Sequence, residues 1–80
     1  MEEDTVKWIP VKSSNIQEVA WELGTGEIRG FLFVRFIKSG TYTYLDVPGE
    51  LYEEMLKAPS IGKFFAEMIK NEFDYVKDEK

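Results

Sequence analysis

At 80 residues the chain has room for one hydrophobic core and no second domain, and 44 % apolar with 15 % aromatic residues is the composition of a folded protein. It contains neither cysteine nor histidine, which excludes disulfides, thiolate nucleophiles, imidazole bases and nearly every zinc site. The net charge of −5 sits mostly in the ends, where Glu2, Glu3, Asp4, Asp78 and Glu79 outweigh Lys80, so the balance of residues 5 to 77 neither favours nor excludes a polyanion.

Taken in chain order, the acidic residues 1–5 form a flexible tail, with no apolar run of the kind that follows in a secretion signal. No stretch approaches the roughly 20 apolar residues of a membrane span, and the expected location is the cytoplasm. Val6 to Val11 is short, apolar and interrupted by Pro10, which cannot donate to a ladder; it is an edge strand or an extended lead-in. Ser13, Ser14 and Asn15 make a polar turn. In Ile16 to Leu23, Val19, Trp21 and Leu23 alternate with charged positions, the signature of a half-buried strand, and Gly24-Thr25-Gly26 closes it as a hairpin connection.

Ile28 to Ile37 is the longest strand and is apolar on both sides, with Ile28, Leu32, Val34 and Phe36 on one and Phe31, Phe33 and Ile37 on the other, flanked there by Arg29 and Arg35. Such a strand belongs in the middle of a sheet. Lys38-Ser39-Gly40 then turns the chain into a returning strand over Thr41 to Val47. A three-residue loop with Gly40 left-handed pairs Val34 with Tyr44 and sets both tyrosines beside Leu32, Val34 and Phe36. A two-residue loop slips the register by one and sets them beside Phe33 and Arg35.

Pro48 marks the first turn of a helix carrying Leu51, Tyr52, Met55 and Leu56 on its apolar side, and Pro59 ends it. Ser60 caps a second helix with Phe64, Phe65, Met68, Ile69 and Phe73 on one face. Past Asp74 the chain turns polar and frays, leaving 76–80 as a charged tail. Strands first and helices afterwards predict an α+β fold: an antiparallel three- to four-stranded β-meander followed by two α-helices packed on one sheet face, in a single domain over 6–75. The 19 lysines and glutamates, against three side-chain amides, lean toward a thermophilic composition.

Four ordered motifs carry a family resemblance: Ser13-Ser14-Asn15-Ile16, Tyr42-Thr43-Tyr44, Val47-Pro48, and Ala58-Pro59-Ser60 with Gly62 and Phe64. Together they resemble the KTSC domain, a short family named after the C-terminus of some lysyl-tRNA synthetases that also occurs as stand-alone small proteins. The likeness spans roughly residues 10 to 70. It departs from the family pattern in the placing of the turn before the tyrosines and at Ala66, where members often carry a polar residue. The resemblance implies a small α+β module without an established activity, and association with RNA or a translation-linked protein.

The residues themselves offer two candidate binding features. Aromatic rings beside arginine on one sheet face make a stacking platform for unpaired bases, with Arg29, Arg35, Tyr42 and Tyr44 as its residues. The start of the second helix, with Ser60, Gly62 and Lys63, offers free N–H groups and a positive charge to a phosphate. Ser13 and Ser14 have no histidine to activate them and read as turn residues. Glu50, Glu53 and Glu54 favour the positive end of their helix but lack a ligand loop for a cation. No catalytic set, metal or cofactor is expected. The expected function is a non-enzymatic binding module for RNA or a ribonucleoprotein; the rival is a protein-interaction or homodimerisation module, because two helices cover only one face of a sheet that is apolar on both.

Overall fold

The computed structural model describes residues 7–24 and 29–77. Its elements are β1 (Ile9–Pro10), β2 (Ile16–Leu23), β3 (Arg29–Phe36), β4 (Gly40–Pro48), α1 (Gly49–Lys57), α2 (Ile61–Met68) and β5 (Tyr75–Lys77). The five strands form one antiparallel sheet in the order β1-β2-β3-β4-β5, with both helices between β4 and β5 in sequence and packed on one face. This is the expected α+β meander with a larger strand count. The connection at Thr25 and Gly26 lies outside the described residues.

The added strand is β5. Tyr42 pairs with Lys77, Thr43 with Val76 and Tyr44 with Tyr75. The polar character after Asp74 pointed to fraying, yet the ladder extends through Lys77, two residues into the segment assigned to the charged tail. Three residues are too few for a period to declare itself in the sequence, and the free edge of β4 supplies the hydrogen bonds that select the extended form. Leu45 N–H donates to Asp74 C=O at 2.9 Å, which brings the chain back alongside β4.

Two irregularities decide which side chains face the helices. Ile16 pairs with Phe36 but Glu18 pairs with Arg35, so Gln17 is the extra residue of a bulge. The bulge lets Ile16 and Val19, three apart, both be buried. In β4 the register shifts between Tyr44, opposite Leu32, and Val47, opposite Gly30. Asp46 absorbs that shift with a left-handed φ of 59°, and Tyr44 and Val47 are again both buried. Gly30 lies where β2 comes closest: a Cβ there would stand 2.1 Å from Glu22 O.

The core holds Ile16, Val19, Leu32, Val34, Tyr44 and Val47 from the sheet, and Met55, Phe65 and Ile69 from the helical layer. Trp21 stacks on Tyr52 of α1, centroids 6.4 Å apart, and its indole N–H donates to Val47 C=O at 2.9 Å. Gly49 lets α1 start against that indole, since a Cβ there would meet the ring at 3.1 Å. Pro48 accordingly ends β4 and caps α1 rather than lying inside the helix. Ser60 caps α2 as expected, accepting from Lys63 N–H. Because α2 stops at Met68, Phe73 reaches the core from the following turn, and Met68 is exposed. Among the described residues no helix is long and apolar enough to cross a membrane.

Candidate functional site

The β3–β4 hairpin settles where the tyrosines lie. Its loop is Ile37-Lys38-Ser39, and Gly40, with φ of 91°, pairs with Phe36. Val34 then faces Tyr42 and Leu32 faces Tyr44. The pairing is two residues from Val34–Tyr44, an even step, so the face expected for a three-residue loop is retained. Tyr42 and Tyr44 are on the helix side.

Arg29 and Arg35 are on the other side, so the structure does not bring the two arginines and the two tyrosines together. Arg35 lies over the ring of Trp8, 4.4 Å from its centroid, and donates to the Glu18 carboxylate. Trp8 in turn sits 6.2 Å from Phe33. Arg29 donates to the backbone oxygen of Asp46 at 3.1 Å. Both guanidinium groups are therefore engaged within the protein. The face they occupy carries Phe31 and Val76 as exposed apolar side chains, and the helices leave it uncovered.

On the helix side a groove of about 630 Å³ opens between the sheet and α2. Four separate stretches of chain build it. Ser13 Oγ accepts from the N–H groups of Asn15 and Ile16, and Asn15 C=O accepts from Ile37 N–H at 2.8 Å. Those bonds fix the Ser14-Asn15 turn beside the hairpin loop. Phe65 anchors α2, meeting Phe36 and Tyr44 edge-on at 5.6 and 5.2 Å. Gly62 permits the approach of α2 to the turn, since a Cβ would stand 3.2 Å from Ser13 Oγ. The pairing of β5 then places the Tyr75 ring 5.3 Å from Tyr42 and 5.4 Å from Tyr44.

The rings are graded in exposure. Tyr44 is buried, and desolvation together with the neighbouring Tyr75 and Tyr42 phenols pushes its pKa up to about 12. It is a neutral floor at any physiological pH. Tyr42 is half-buried, and Tyr75 is 53 % exposed at the mouth. Polar side chains at the wall are Ser14, Asn15, Ser39 and Asn71, and among the described residues its only charged ones are Lys38 and Lys70. On a chain of net charge −5, the groove wall carries two ammonium groups and, among the described residues, no carboxylate.

Of the residues singled out in the sequence, Tyr42, Tyr44 and Gly62 meet in this groove. Ser60 commits its hydroxyl to its own helix cap, and Lys63 points to solvent outside the groove. The sequence pattern does not single out Lys70, Asn71 or Tyr75, and it marks Lys38 and Asn15 only as turn residues. Each lies in a turn or a three-residue strand, where no periodicity marks a shared destination. Among the described residues, no three acidic side chains gather in a cation site.

The geometry has close counterparts. A KTSC domain protein from Yersinia pestis has a solved structure that superposes with a TM-score of 0.83, at 31 % identity, over 94 % of this chain and all of its own. A protein of Tsukamurella paurometabola is 33 % identical over 64 residues, which cover 80 % of this chain and 90 % of that one. The KTSC domain family model matches residues 12–73, a span that contains all four motifs and most of the groove wall. The chain belongs to the KTSC domain family.

Proposed function

We propose that this domain is a binding module rather than an enzyme, and that it holds single-stranded RNA in the groove between the sheet and α2. The observation that carries this reading is the meeting of Tyr42 and Tyr75 with Lys38 and Lys70 in a wall that has no carboxylate among the described residues. Unpaired bases stack on aromatic faces and present edges to amides such as Asn15 and Asn71, while phosphates draw ammonium groups. The arginine face supports the reading less well, because Arg35 is already paired with Glu18 and Arg29 with the backbone.

The test is binding of labelled, mixed-sequence single-stranded RNA at two salt concentrations. The expected result is affinity well below millimolar at low salt that weakens as salt is added. Ala66→Glu places a carboxylate in the groove wall at an exposed helical position and is expected to reduce affinity at least tenfold without unfolding the domain. Millimolar affinity at low salt, or affinity indifferent to salt, would remove the reading.

A second reading, self-association, draws on the uncovered face. There Phe31 is 39 % and Val76 58 % exposed, and the Glu18–Arg35 pair leaves the centre of the face without net charge. Light scattering at high micromolar concentration distinguishes it, since a strict monomer is incompatible with it.

A further inference from the structure

We infer that the groove seats one unpaired nucleotide, its base against Tyr75 and Tyr42 and its two flanking phosphates at Lys38 and Lys70, rather than a tract of several bases. The inference rests on the RNA reading above and fixes the size of the unit recognised.

Size is the first argument. A volume of about 630 Å³ falls within the range of roughly 300–1,000 Å³ that holds one small ligand. The second is the supply of rings. Tyr44 is buried beneath Phe65, and Tyr42 is half-covered, with Phe36 edge-on at 5.4 Å and the Lys77 ammonium 5.7 Å from its centroid. Tyr75 is the one ring at the groove that is more than half exposed. Platforms that read several bases spread two or three accessible rings along a sheet; this groove offers one.

Charge limits the seat in the same way. Lys38 belongs to the β3–β4 loop beside Asn15, whereas Lys70 follows the far end of α2, a helix of eight residues and about 12 Å. Two cations approaching from different stretches of chain supply one partner for each of the phosphates on either side of one nucleoside. Asn15 and Asn71, next to those two regions, supply amide donors and acceptors for the edge of the base.

The experiment is calorimetric titration of the full chain with uridine 3′,5′-bisphosphate and with oligouridylates of three, six and twelve nucleotides, each over a range of salt. Adenosine 3′,5′-bisphosphate and the matching oligoadenylates are run in parallel. The expected result is that the bisphosphate binds within about tenfold of the dodecamer once the number of registers is counted. For the dodecamer the expected slope of log K against log salt is about −1.4, two phosphates on a single strand. Tyr75→Leu, which keeps apolar contact with Tyr42 and Tyr44, is expected to weaken bisphosphate and dodecamer alike by at least about fivefold, the lower end for one stacked base. Affinity that climbs a hundredfold or more between three and twelve nucleotides, with a slope steeper than about −3, overturns the single-nucleotide seat and leaves the RNA reading standing. Absence of binding by any bisphosphate or oligomer overturns both.

Discussion

Arg35 lies over the ring of Trp8, with its guanidinium carbon 4.4 Å from the centroid, on the side of the sheet opposite Tyr42 and Tyr44. The same guanidinium group holds the Glu18 carboxylate and donates to Thr41 Oγ1 at 3.4 Å. These contacts engage the guanidinium within the protein, on the face that the helices leave open.

Arg35→Gln should therefore cost stability without costing RNA affinity. Removing the partner of Glu18, whose side chain is 19 % exposed, is expected to lower unfolding free energy by about 1–2 kcal/mol. Urea unfolding checks the first half and the RNA titration the second. A tenfold loss of binding in a folded Arg35→Gln protein would return the arginine face to contention.

Two glycines should respond to alanine for different reasons. At Gly30 the added Cβ meets the backbone oxygen of Glu22 at 2.1 Å in the middle of the sheet, and a loss of about 3 kcal/mol or more is expected. At Gly40 nothing lies within 4 Å, and only the left-handed φ of 91° is strained, at about 1 kcal/mol. Gly40→Asn should recover part of that loss, because asparagine tolerates the left-handed region, and Gly30→Asn should not. Midpoints of urea unfolding at constant m-value report both.

Alkaline pH should destabilise the fold through Tyr44. Its folded pKa is pushed up to about 12 from an ordinary 10, so the unfolded chain releases this proton first. Its contribution to stability is complete below pH 10 and disappears as the pH climbs from 10 to 12. Burial raises Tyr52 as well, and its effect has the same sign. Tyr44→Phe should flatten the fall in stability over that window by up to one proton. An unchanged slope would mean that the Tyr44 phenol is not desolvated in solution.

Ser13 and Gly62 should prove coupled. A methyl group at residue 62 presses on Ser13 Oγ, the acceptor that holds the N–H groups of Asn15 and Ile16. Ser13→Ala is expected to cost about 1 kcal/mol, and Gly62→Ala to cost less on the Ser13→Ala background than on the wild type. A double-mutant cycle on unfolding free energy measures this coupling. Strict additivity would show that α2 does not bear on the turn.

The sequence alone determined the class of the fold. Alternation in β2, a β3 apolar on both faces, and prolines and a serine at the helix ends are local signals, each written within one turn or one strand of the residues that obey it. It also determined which chemistries are closed to a chain without cysteine or histidine. Its assembly of a site failed where the answer depended on distance. The parity of one hairpin separates Arg35 from Tyr42, and that parity is set by Gly40 pairing with Phe36.

Tertiary structure alone brought Asn15, Lys38, Lys70 and Tyr75 to one groove. None of the four lies in an element long enough for a pattern to show, and β5 takes its extended form from the open edge of β4 rather than from its own three residues. A polar side chain in a turn carries no local mark of where it will point; that direction follows from the packing of Phe65 against Tyr44, fifty-two residues after Ser13, and from bulges that turn whole strand segments over.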